Sequence, residues 1–74
     1  MNYREVLKQF RTEVLELSTR ELGEELGIDG SYVRQIESGA VAPSVKYLGQ
    51  LCLRGLSIDA LVKHTDLLEN LKNS

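Results

Sequence analysis

Apolar residues recur three or four positions apart along almost the whole chain, the spacing of a helix with one buried face. Val6, Leu7, Phe10 and Val14 place a first helix over Tyr3–Leu15, with those four turned inward. Ser18 offers an N-cap, and Glu21 three residues later completes a capping box, in which side chain and backbone satisfy each other's free groups. A second helix then runs from Thr19 to Leu26, burying Leu22 and Leu26, and Gly27 ends it. Asp29 caps a third helix with Val33 and Ile36 inward and Ile28 packed just before it; Gly39 closes that helix. Residues 40–43 form a loop, since Pro43 excludes helix at the residue before it. Ser44 caps a fourth helix to about Leu53, with Leu48, Leu51 and Cys52 buried, and Gly55 stops it. Ser57 opens a short fifth helix bearing Ile58, Leu61 and Val62. Asp66 with Glu69 marks another capping box, so a last helical turn or two over Asp66–Lys72 carries Leu67, Leu68 and Leu71. Every segment is helical and every connection short. The expectation is an all-α fold, a compact five-helix bundle with a short extra C-terminal helix, forming a single domain over residues 1–74.

Composition narrows the function. A chain of 74 residues buries only about 60% of the surface its unfolded form exposes, so a monomer is marginal and self-association is one remedy. No apolar run approaches the ~20 residues of a membrane span. The N-terminus lacks the layout of a signal peptide. A single cysteine allows neither an intrachain disulfide nor a cysteine-rich zinc site. A cytoplasmic protein without metal or cofactor and without membrane contact is expected. Catalysis is not, because no nucleophile–base pair, phosphate-cradling glycine loop or metal-spaced ligand cluster stands in the sequence. His64 reads as a solvated surface residue and Cys52 as core. The net charge is −2, from nine Lys and Arg against eleven Asp and Glu. Any affinity for nucleic acid must therefore come from where those nine cations stand.

The informative stretch is LSTRELGEELGIDGSYVRQIESG, Leu17–Gly39. Two helices of about eight residues meet at a tight turn containing Gly27. The small residue at Gly23 lets them cross closely. This is a helix-turn-helix layout, in which the second helix enters a major groove and the first braces it across the backbone.

L-S-x-x-E-L-G-x-x-L-G-I, then S-Y-V-x-Q-I-E-S-G, P-S, a Leu-rich helix and L-S-I-D-A-L together resemble the lambda-repressor/Cro group of helix-turn-helix proteins, from about Val6 to Val62. The resemblance implies a recognition helix over Gly30–Ser38. Its base-facing positions are Gly30, Ser31, Arg34 and Gln35; Gln pairs with adenine and Arg with guanine through two hydrogen bonds. It also implies phosphate contacts from Tyr32, from Ser44 and Lys46 at the start of the fourth helix, and from Thr19 and Arg20 at the start of the second. The chain departs from the group in three places. Thr19 stands where a longer Gln is usual. The loop 40–42 is apolar where the group is often basic. The Arg that pairs with the buried Glu, here Glu37, is expected at Thr12, whereas Arg11 stands one position away and leaves that pair open.

The reading that follows is a sequence-specific DNA-binding transcriptional regulator, a repressor binding a palindromic operator in double-stranded DNA as a homodimer. Residues 65–74 contribute to dimerisation. The alternative is a protein-interaction module of the same fold, such as an antitoxin or inhibitor. Acidic charge and the apolar loop speak for that alternative; the capped helices with Ser31, Arg34 and Gln35 speak for DNA.

Overall fold

The computed structural model describes residues 3–57 and 59. α1 (Tyr3–Gln9) continues without a break into a π-helical stretch, Phe10–Leu15, and is followed by α2 (Thr19–Leu26), α3 (Gly30–Ser38) and α4 (Val45–Leu53). Gln9 keeps right-handed helical dihedrals (φ −61°, ψ −43°), so the first two segments form one rod. There are thus four helical rods and no strand among the described residues. Apart from Ser57 and Asp59, the expected fifth helix and the turns over Asp66–Lys72 lie outside the described residues.

The capping chemistry is as the sequence implies. Ser18 Oγ accepts from the Glu21 N–H at 3.1 Å and Glu21 Oε1 accepts from the Ser18 N–H at 2.9 Å. Asp29 Oδ1 accepts from Ser31 N–H at 2.8 Å, and Ser44 Oγ from Tyr47 N–H at 3.0 Å. Gly27 and Gly39 end α2 and α3 in the left-handed region, at φ 72° and 89°, which only glycine occupies without penalty. These signals are local, which is why the bounds of α2 match the expected ones.

Leu7, Leu22, Val33, Ile36 and Leu51 are almost completely enclosed, and Tyr3, Phe10, Tyr47, Leu48 and Leu56 complete the core. Leu26, Ile28 and Cys52 pack at its margin. One expectation fails. Val14 is 61% exposed, and Leu15, not Val14, packs against the core. Bonding from i to i+5 places more residues in each turn than the α spacing assumed for this face. Positions after Phe10 therefore rotate away from the stripe that Val6, Leu7 and Phe10 began.

The same rotation delivers Arg11 to the interior. Its Nε donates to Glu37 Oε2 at 2.8 Å and its Nη2 to Oε1 at 2.9 Å, while Nη1 donates to the Leu17 carbonyl at 2.8 Å. The pair left open by the sequence is thus made. One residue more than the resemblance implies separates Arg11 from the start of α2, and the wide turn absorbs it. Both side chains are nearly enclosed, so the two-pronged geometry must offset the loss of water. The Glu37 hydrogen bond raises the Arg11 pKa, against burial, which lowers it.

Candidate nucleic-acid interface

The α2–α3 junction is closed by two glycines facing each other's helix. The Ile28 N–H donates to the Gly23 carbonyl at 2.8 Å. A Cβ on Gly23 would stand 2.7 Å from the Ile28 carbonyl oxygen and 2.8 Å from the Gly30 nitrogen. One on Gly30 would stand 2.9 Å from Arg20 Cα and 3.2 Å from the Thr19 oxygen. The neighbours are backbone atoms that cannot swing aside, so both positions need the missing side chain. The starts of α2 and α3 are consequently nested together. Gly30 turns its Cβ direction toward α2, and its contribution to any outer surface is backbone alone.

On α3, Val33 and Ile36 face the core while Arg34 and Gln35 are exposed and Ser31 and Tyr32 half-buried. The Gln35 side-chain amide makes no hydrogen bond among the described residues; its backbone carbonyl accepts from Ala40 and Val41 and folds the end of the helix. Arg34 Nη1 donates to Thr19 Oγ1 at 3.3 Å, joining the expected reading helix to the start of its brace. The Asp29 carboxyl is held below its ordinary value, first by the Ser31 N–H, with the charge of Arg34 a smaller contributor.

Three of the expected phosphate ligands come together. Tyr32, Ser44 and Lys46 line a cleft of about 150 Å³ between the α2–α3 turn and the start of α4, with Gln50 and Tyr47 beside them. The Tyr32 ring also meets Tyr47 edge-on, with centroids 6.4 Å apart and planes at 87°, so it packs and lines the cleft at once. Burial pushes the Tyr47 phenol up, and its oxygen lacks a partner among the described residues. A second, shallower concavity gathers Thr19 and Arg34 with Lys8, Arg11, Glu37 and Ser38. Lys8 is the cation that the sequence reading missed. It stands three positions before Arg11, on the same side of the first rod, and that spacing was the available signal.

Arg20 is not brought to either concavity. Its guanidinium pairs with Glu24 one turn along α2, with both side chains largely exposed. Such a pair holds little energy, and it sets Arg20 on the acidic side of α2 with Glu21, Glu24 and Glu25. Among the described residues no cluster of His, Cys, Asp and Glu could hold a metal ion, and no helix is long and apolar enough to cross a membrane.

A family model described as Helix-turn-helix matches residues 7–55, well over half of the chain. No curated protein and no solved structure matches it.

Proposed function

The chain belongs to the lambda-repressor/Cro-like helix-turn-helix family of DNA-binding regulators, and from that premise we propose that it is a sequence-specific repressor acting as a homodimer on a palindromic operator. The observation that carries this reading is the α2–α3 unit itself. Two capped helices are locked by facing glycines, and the outer side of α3 presents Ser31, Arg34 and Gln35. Arg34 and Gln35 are the two side chains there that read bases through paired hydrogen bonds. Thr19 on one side, and Tyr32, Ser44 and Lys46 on the other, flank them at positions suited to phosphates. Ser44 and Lys46 stand at the start of α4, where free N–H groups and the helix dipole favour an anion. Arg20 joins them only by leaving Glu24. The homodimer is supported by the small size of the chain and by the Leu67, Leu68 and Leu71 stripe of its sequence.

Readout and clamping separate experimentally. Gln35→Ala should cost about 1–3 kcal/mol on the preferred duplex and much less on unrelated DNA. Lys46→Ala should weaken all duplexes about equally, because a phosphate contact carries no sequence information. Binding measured by fluorescence anisotropy on both duplex types decides it. Equal losses in the two types for both variants would remove α3 as the reader.

A protein-interaction module on the same scaffold, such as an antitoxin or inhibitor, is the second reading. The exposed Val45, 72% accessible, beside the apolar Ala40-Val41-Ala42 loop favours it, and a chain that retained no duplex would leave this reading standing.

A further inference from the structure

We propose that the cleft between the α2–α3 turn and the start of α4 binds a small one-ring carboxylate, its ring on the apolar walls and its charge at Lys46, and that this ligand competes with a duplex for the start of α4. The competition rests on the DNA-binding reading above; the binding itself does not.

The argument begins with what a phosphate would leave unused. Ser44 and Lys46 are exposed, whereas the other main walls of the cleft, Leu26, Ile28, Tyr32 and Tyr47, are half-buried or buried. A phosphate oxygen is satisfied by a cation, a hydroxyl and free N–H groups, and has no use for four largely apolar side chains. The rings of Tyr32 and Tyr47 stand at 87° with centroids 6.4 Å apart. They make a corner of two aromatic surfaces, against which a flat ring packs well. Volume sets the size of the guest. The cleft encloses about 150 Å³. That is short of the ~300 Å³ at which drug-sized sites begin, and close to the ~150 Å³ at which an apolar cavity takes up benzene. One ring fits.

Charge complementarity selects an anion. No carboxylate lines the cleft among the described residues, and Lys46 forms no ion pair among them. Ser44 Oγ accepts from the Tyr47 N–H at 3.0 Å and keeps its own proton to donate. The N–H groups of Val45 and Lys46 belong to the first turn of α4, where no carbonyl of the helix reaches them. A carboxylate gains from all of these donors. Tyr47, 4% exposed, adds a buried hydroxyl without a partner among the described residues, and such an atom calls for a partner that the described chain does not supply.

The test titrates the full-length chain, free of DNA and labelled with ¹⁵N, with benzoate, acetate and benzyl alcohol at constant ionic strength. Amide shifts in two-dimensional NMR report the binding. Benzoate should give saturable shifts centred on Ile28, Tyr32, Lys46 and Tyr47. Acetate, which lacks the ring, should bind at least about ten-fold more weakly. Benzyl alcohol, which lacks the charge, should do the same, as should benzoate with Lys46→Ala, while Lys46→Arg should retain binding. Three outcomes overturn the inference: no saturable shifts with benzoate, acetate matching benzoate, or Lys46→Ala leaving benzoate affinity unchanged. Fluorescence anisotropy then reads the competition. Benzoate should lower duplex affinity beyond the effect of equimolar acetate, and an equal effect of the two would overturn the competition. A chain that binds benzoate in this way but no duplex overturns instead the DNA-binding reading.

Discussion

Arg11 joins three parts of the chain with one side chain: the first rod, the Leu17 carbonyl before α2, and Glu37 near the end of α3. Removing one member of such an enclosed pair leaves the other charge without its partner. Arg11→Met should therefore cost about 3 kcal/mol or more, read by denaturant unfolding. The double variant Arg11→Met/Glu37→Leu should recover part of that loss, because no orphaned charge remains. It should not recover all, since the Leu17 carbonyl still lacks its donor. A double variant no better than the single would show that the pair is not what stabilises this junction. The capping carboxylates make a separate, pH-dependent contribution. Glu21 and Asp29 are held below their ordinary values of 4.5 and 3.8, by the Ser18 and Ser31 N–H groups first. A depressed carboxylate stabilises the fold above its unfolded value, and that stabilisation disappears as pH falls through the folded one. Stability should thus be flat above about pH 5 and decline in more acidic solution. Asp29→Asn keeps a capping oxygen without the titration, so its melting temperature should decline less steeply over the acid range. An unaltered decline would mean Asp29 is not among the groups responsible.

At the scale of elements, what was legible in the sequence depends on how local its cause is. α2 and α3 were readable because Ser18, Glu21, Asp29, Gly27 and Gly39 each act on backbone within a few residues. The π-helical stretch was not, because nothing in Phe10–Leu15 differs from an ordinary amphipathic helix. Its cause is tertiary: Arg11 must reach Glu37, and Leu15 and Leu17 must still reach the core. The inward placement of Val14 failed for that reason, and so the Arg11–Glu37 pair could not be settled from spacing. The exposure of Arg34 and Gln35 on α3 was legible from the helical spacing of Val33 and Ile36, whereas the Thr19–Arg34 contact depends on how closely Gly30 lets α3 approach. Deleting the exposed Glu13 tests the account of the wide turn. It should turn Phe10–Leu15 into regular α-helix with Arg11 still on Glu37, and change stability by no more than about 1 kcal/mol. Loss of cooperative unfolding in circular dichroism would show that the extra residue is required.

For the whole molecule, the acidic balance sets how binding should respond to salt. Nine cations face eleven anions, and the fold commits some of the nine internally: Arg11 to Glu37, and Arg20 to Glu24 at the surface. Lys46 and Lys8 line the two concavities, and the hydroxyls of Thr19, Tyr32 and Ser44, on the proposed function, would contact phosphates without neutralising charge. About four phosphates neutralised per subunit is therefore a generous figure, or about eight for a dimer. Each releases about 0.9 of a counterion from duplex DNA, so log affinity should fall against log salt with a slope of about −7. Between 50 and 200 mM salt that is a loss of about 10⁴-fold. Lys46→Ala should make the slope shallower by about one unit per subunit, whereas Gln35→Ala should leave it unchanged, because a base contact releases no ion. A titration of duplex against protein at several salt concentrations reads all of these together. A slope of half this size would indicate either one subunit on the DNA or a dimer in which each subunit neutralises about two phosphates. A slope near zero would mean that the net negative charge prevails over the placement of the cations, and that the outer face of α3 meets something other than a duplex.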